Sequence, residues 1–129
     1  RPYEGVPQLL QQLRAAGCRT AIVSNKADYG VHELAKQYFD GQLDAACGER
    51  AGIAKKPAPD MLLAIMRQLK AEPASTIYIG DSDTDLDTAS NAGVACIGAC
   101  WGFRGRAFLE AHGAKLLAEN VGDIWELIK

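Results

Sequence analysis

Thr76-Ile-Tyr-Ile-Gly-Asp-Ser-Asp-Thr-Asp-Leu-Asp-Thr-Ala-Ser-Asn-Ala-Gly93 is an apolar run that ends in acid. Ile77 to Ile79 has the composition of a short buried strand, and Gly80 breaks it. Four carboxylates follow, at Asp81, Asp83, Asp85 and Asp87. An alanine-rich helical segment over about 83–92 then stops at Gly93. A buried strand that delivers acids to its C-terminal tip is where parallel α/β proteins hold ligands. Like charges packed this densely repel one another unless water or a cation compensates them. Oxygen-only ligands favour a hard cation such as magnesium. Asp83 and Asp87 also suit a plainer role, as first-turn acids of the helix that face solvent. Asp81, the first residue past the strand, is the candidate ligand.

Outward from this stretch, helix and strand alternate along the whole chain. Val6, Leu9, Leu10 and Leu13 recur at helical spacing and Gly17 closes the segment, so a helix is expected over 4–16. Thr20 to Ser24 is a compact β-rich run, read as a buried strand. Further helices are expected over 28–38 and 59–70, with a weak strand at Leu43–Cys47 between them. Strands at 76–80, Val94–Ala99 and Lys115–Ala118 follow, interleaved with helices over 83–92, 106–112 and 121–128. The pattern predicts one α/β domain over residues 1–129, a three-layer Rossmann-like parallel sheet with helices on both faces. Parallel strands end on one edge, which would gather Ser24, the Lys55-Lys56-Pro57 loop and Asp81 around one pocket.

Composition narrows the function classes. The chain has 129 residues, 48% of them hydrophobic and 23% charged, which is ordinary for a soluble globular domain with a real core. Its net charge is −2 and it carries no basic stripe, so nothing suggests nucleic acid. No apolar run approaches the ~20 residues that span a bilayer. Cys18, Cys47, Cys96 and Cys100 form no C-x-x-C pair and lie in or beside apolar segments. They read as reduced core residues of a cytoplasmic protein. The sequence opens Arg1-Pro2-Tyr3, with neither an initiator Met nor a signal peptide.

Three elements stand at strand tips or adjoining loops. Ser24-Asn25 offers a hydroxyl and backbone N–H groups that can hold phosphate oxygens, although such residues after a strand also serve as turns. Lys56, in Lys55-Lys56-Pro57-Ala58-Pro59-Asp60, is a compact cation suited to phosphate or a nearby carboxylate. The acidic tip from Asp81 to Asp85 is the third.

In this order they resemble the second, third and fourth motifs of the haloacid dehalogenase-like hydrolases: a strand-borne Ser/Thr, a Lys, and Gly80-Asp81-Ser82-Asp83-Thr84-Asp85. Tyr3-Glu-Gly-Val-Pro7, Val23-Ser-Asn-Lys26, Gly48-Glu-Arg50, Lys56-Pro-Ala-Pro-Asp60, Ile79-Gly-Asp-Ser82 and Trp101-Gly-Phe-Arg104 look like the phosphoglycolate phosphatase branch. The resemblance implies a magnesium-dependent phosphomonoester hydrolase acting on a small phosphorylated metabolite. Under it, Ser24 and the Asn25 amide bind the phosphoryl group, and Lys56 steadies that group and the attacking carboxylate. Asp81 ligates magnesium, and Asp85 supports the metal shell or orients Lys56. Lys55 is the alternative bearer of the lysine role. Trp101-Gly-Phe-Arg104 is either near the mouth of the site or a loop anchor.

The family's first motif, Asp-x-Asp-x-Thr/Val after an N-terminal strand, is absent from these residues, and so is the cap inserted after it. That motif supplies the nucleophilic aspartate and the acid/base aspartate. The chain therefore resembles the C-terminal part of a longer enzyme, inactive alone, with the intact protein passing through an aspartyl-phosphate. Asp81-Ser-Asp-Thr-Asp85 could mimic the first motif, but Asp85 stands where Thr or Val belongs. A non-catalytic phosphate- and metal-binding module and a phospho-acceptor receiver domain are the competing classes. A receiver gathers two acids at its first strand's end, and no such pair exists here. In the family the missing strand lies between those represented by 20–24 and 76–80. The gap expected there admits three repairs: a retained N-terminal fragment, a second chain, or direct closure of the two edges.

Overall fold

The computed structural model describes residues 5–39, 41–49, 51–54, 56–102 and 104–128. Lys55, and the Tyr3, Glu4, Arg50 and Phe103 positions of the motifs quoted above, lie outside the described residues.

Helix α1 (Val6–Ala15) starts with Pro7 in its first turn and is followed by Gly17, which holds φ +87° in the turn toward the first strand. Strand β1 (Ala21–Ala27) feeds α2 (Asp28–Phe39), and β2 (Ala45–Glu49) precedes α3 (Asp60–Leu69). A short 3-10 turn at Pro73–Ser75, which the sequence reading did not anticipate, leads into β3 (Ile77–Gly80). Then come α4 (Asp83–Ala92), β4 (Ala95–Ala99), α5 (Arg106–Ala111), β5 (Leu116–Ala118) and α6 (Val121–Ile128). Every expected helix and strand is present, the weak strand included. The largest shift of boundary is in β1, which runs past Ser24 to Ala27.

All strand pairings are parallel. They form two ladders, β1-β2 and β3-β4-β5, which part at the place where a gap in the parallel sheet was expected. Among the described residues nothing pairs β1 with β3, so direct closure of the two edges is not the repair adopted.

Alternation along the strands assigns the layers. Tyr78 and its register partner Cys96 turn toward α3 and α4, joining Leu62, Met66, Ala89 and Ala92. Ile97 turns the other way and packs with Leu9, Leu13, Ala118, Val121 and Ile124 of α1, β5 and α6. Helices thus cover both faces of the three-stranded ladder. Met61 and Ile65 of α3 close over Ala45 and Cys47 of β2, while Val23 of β1 touches the clusters on both sides of α3. Helix α3 is what spans the two ladders. Cys18, Cys47, Cys96 and Cys100 are all free thiols. Among the described residues no helix is long and apolar enough to cross a membrane.

Candidate active site

The site assembles at the C-terminal ends of β1 and β3. Strand β3 ends at Gly80, and Ser82 caps α4 by accepting the Asp85 N–H at 3.3 Å. This cap turns the first helical residues back over the strand tip and directs Asp85 inward, where it is 7% exposed. Gly80 is needed for that return, because a Cβ there would collide with the Asp85 side chain.

Both Asp85 oxygens are occupied. Oδ1 accepts from Lys56 Nζ at 2.8 Å and from the Tyr78 hydroxyl at 3.0 Å. Oδ2 accepts from the Asp81 N–H at 3.0 Å and the Ser82 hydroxyl at 3.2 Å. Lys56 Nζ also donates to the Tyr78 oxygen at 3.1 Å, closing a triangle of ammonium, phenol and carboxylate. The Lys56 and Asp85 side chains are only 13% and 10% exposed. Burial pushes the Asp85 carboxyl up, but the Lys56 hydrogen bond and charge, the Asp81 N–H and the Tyr78 hydroxyl together hold it below the usual carboxylate range. Burial and the adjacent Asp85 charge push the Tyr78 phenol far up, so it stays protonated and donates. The same two causes push the Cys96 thiol up to about 12, which leaves it a small inert core group.

The β1 end supplies the other half. The β1-β2 register breaks between Val23 and Ala27, so Ser24, Asn25 and Lys26 fall in an irregular stretch before α2. Ser24 Oγ accepts from the Lys26 N–H at 3.1 Å, and such a hydroxyl keeps its own proton to donate. Asn25 reaches the Lys56 peptide, accepting from its N–H at 2.9 Å and donating to its carbonyl at 3.4 Å. Asn91 donates to the Pro57 carbonyl at 2.9 Å. The structure therefore links Asn25, Lys56, Asp85 and Asp81 through direct contacts. Ser24 joins them as Asn25's neighbour, its described bond being local.

Asp83 and Asp87 lie apart from this cluster, with Arg104 at 3.6 Å from Asp83 and His112 at 3.0 Å from Asp87. The loop after β4 closes over the acidic tip: the Arg104 N–H donates to the Asp81 carbonyl at 3.4 Å, and a Cβ on Gly102 would strike the Asp81 side chain. Two participants escaped sequence reasoning. Tyr78 carried a usable signal, since a phenol in the middle of a buried strand must find a polar partner. Asn91 gave none, because its contact crosses between elements distant in sequence. Of the two places weighed for Trp101-Gly-Phe-Arg104, the described Gly102 and Arg104 lie against Asp81.

Magnesium keeps several waters and takes one or two carboxylates plus substrate phosphate, all through oxygen. Among the described residues no three His, Cys, Asp or Glu side chains converge as a closed cage. Asp81 at the strand tip fits as one such carboxylate. Asp85 fits less well as a direct ligand, because both its oxygens already accept two donors.

The sequence profile of a family described as haloacid dehalogenase-like hydrolase matches residues 1–99. Phosphoglycolate phosphatase of Aquifex aeolicus (strain VF5) is 32% identical, over 80% of this chain and 49% of its own length. Pyrophosphatase PpaX of Bacillus mycoides (strain KBAB4) is 30% identical, over 98% of this chain and 59% of its own. The crystal structure of a provisionally assigned phosphoglycolate phosphatase from Lactobacillus delbrueckii subsp. bulgaricus superposes with a TM-score of 0.96 at 38% identity. It is matched over 98% of this chain and 53% of that one. The chain spans about half the length of the curated relatives it matches.

Proposed function

The chain belongs to the haloacid dehalogenase-like hydrolases, and from that premise we propose that it is the greater part of the core domain of a magnesium-dependent phosphomonoester hydrolase. The phosphoglycolate phosphatase type is the reading adopted for the intact protein, supported by relatives that carry that name. The observation that carries it is the buried Lys56–Tyr78–Asp85 triangle, set beside Asp81 at the tip of β3. It is an ammonium held in place by a carboxylate and a phenol, next to a second carboxylate suited to a hard cation.

A phosphate monoester dianion approaching carboxylates is repelled unless cations offset it, and oriented donors stabilise the transferring group. Lys56 would present its ammonium to the phosphoryl oxygens, with Asp85 and Tyr78 fixing its direction. Ser24 and the backbone amide of Asn25 would donate to the same oxygens. Asp81 would hold magnesium, which when bound neutralises phosphate charge. Asp85 acts through Lys56 in this reading. The attacking carboxylate is not among these residues, so in the intact protein another segment or chain supplies it and fills the space between β1 and β3.

The test uses inorganic phosphate and magnesium in calorimetric titration, with an aryl phosphate for turnover. The 129-residue chain is expected to bind phosphate with magnesium and to show negligible turnover. Asp81→Asn should abolish magnesium binding, and Lys56→Ala should weaken phosphate by on the order of tenfold or more. Magnesium binding undiminished in Asp81→Asn would overturn the assignment of the acidic tip. Robust turnover that is lost in Asp81→Asn but survives Asp85→Asn would make Asp81 itself the attacking group.

A further inference from the structure

Lys56 sits on an irregular segment: between β2 and α3 the described residues 51–54 and 56–59 form turns and bends with no helix or strand. An ammonium on such a loop is only as well placed as the peptide that carries it. The Lys56 side chain is gripped at its far end by Asp85 and Tyr78. Its near end is gripped by Asn25, whose carboxamide makes a two-point contact with the Lys56 N–H and carbonyl. Asn91 holds the next carbonyl, that of Pro57.

From this geometry we propose that Asn25 is a positioning residue for Lys56, its side chain acting on the lysine's peptide rather than on substrate. A carboxamide is the side chain that pairs with both the N–H and the C=O of one residue, offering one acceptor and one donor as a neighbouring strand would. Aspartate would keep the acceptor and lose the donor. The register break at Ser24–Lys26 is what makes the arrangement available, since a residue outside the β1-β2 ladder can turn toward a third segment. The consequence is mechanical as well as local. Asn25 lies on β1, in the unpaired stretch of that strand, while Asp85 and Tyr78 belong to the β3 side, and among the described residues no strand pairing joins the two ladders. The Lys56 segment adds a polar strap between them beside the packing of α3, so the contacts that fix the lysine's direction also help to hold the two halves of the site together. Pre-organisation of this kind matters because small misplacements of a charged group cost rate and affinity.

The inference rests on the reading that Lys56 meets the phosphoryl oxygens, and the experiment separates the two. Lysine-selective ¹⁵N NMR of the unliganded chain reports the order and proton exchange of the Lys56 ammonium without any ligand. Inorganic phosphate titration, with magnesium present, reports binding. In Asn25→Ala the Lys56 ammonium should lose order and exchange its protons on the order of tenfold faster, and phosphate should bind on the order of tenfold more weakly. The melting transition should remain cooperative. Asn25→Asp should fall between Asn25→Ala and the parent in the ammonium signals, as it retains one of the two contacts. Should Asn25→Ala fail to fold, Asn91→Ala carries the test, with the same loosening expected at smaller size. Unchanged ammonium order and exchange in the folded variant would overturn the proposal. Phosphate binding that is equal in the parent and Lys56→Ala would instead overturn the underlying functional reading, leaving the ammonium signals to judge the clamp.

Discussion

A carboxylate that accepts four hydrogen bonds, as Asp85 does, ties stability to pH. Its folded pKa is lowered, since the Lys56 contact, the Asp81 N–H and the Tyr78 hydroxyl outweigh the opposing effect of burial. Stabilisation from this group is therefore complete above the unfolded carboxylate value of about 4 and is lost as pH falls through the lower folded value. Asp44 adds to the same acid limb, its carboxyl lowered chiefly by the Thr20 N–H, with Arg14 assisting against burial. Urea unfolding of the parent should show stability falling steeply below about pH 4. Asp85→Asn should cost about 3 kcal/mol at pH 7, because it leaves the Lys56 charge buried without its partner. The variant's acid limb should be shallower, with the Asp44 share remaining. Tyr78→Phe should cost about 1.5–3 kcal/mol, the worth of a hydrogen bond to a charged group. Equal acid limbs in parent and Asp85→Asn would show that the triangle does not form.

Among the elements, the β3–α4 junction concentrates the most information. Gly80 is constrained by space: a Cβ would meet the Asp85 side chain, although its φ is not in the left-handed region. Gly30, within α2, meets nothing within 4 Å and is helical. Gly80→Ala should destabilise by about 1–3 kcal/mol, the usual cost of forcing extra volume into packed structure. Gly30→Ala should stabilise by about 0.5–1 kcal/mol through helix propensity. Thermal unfolding of the pair checks both signs, and a neutral Gly80→Ala would mean that α4 does not return over the strand tip as described. The junction was legible beforehand, because an apolar run, Gly80, a Ser82 cap and Gly93 as terminator are all local signals. The extension of β1 to Ala27 was not. Lys26 and Asn25 are poor strand formers, and only pairing with β2 through Ala27 and Glu49 places them there.

For the molecule as a whole, the two ladders present unpaired edges at β1 and β3 among the described residues. On β3 the apolar Ile77 and Ile79 are 37% and 38% exposed. Unpaired backbone beside exposed β-branched side chains is a template for another strand. The 129-residue chain is accordingly expected to self-associate at micromolar concentration, with light scattering giving a mass above that of one chain. A sheet-completing N-terminal segment supplied in the same chain should return it to one mass and raise its melting temperature. A monodisperse single chain that unfolds cooperatively without that segment would show that the gap needs no strand.

The amino-acid sequence by itself determined the order and type of the elements and the chemistry at their tips. Periodicity, capping residues and glycine stops act within a few positions, and the spacing of Ser24, Lys56, Asp81 and Asp85 survives any folding detail. Only the tertiary structure decided which side chains meet. Lys56 is 29 residues from Asp85 and 31 from Asn25, and neither separation carries a local signal. The two-point hold of Asn25 on Lys56 and the reach of Asn91 to Pro57 likewise depend on contacts between distant segments. Those contacts are selected by packing and by the need of buried polar groups for partners, which no short window of sequence can express.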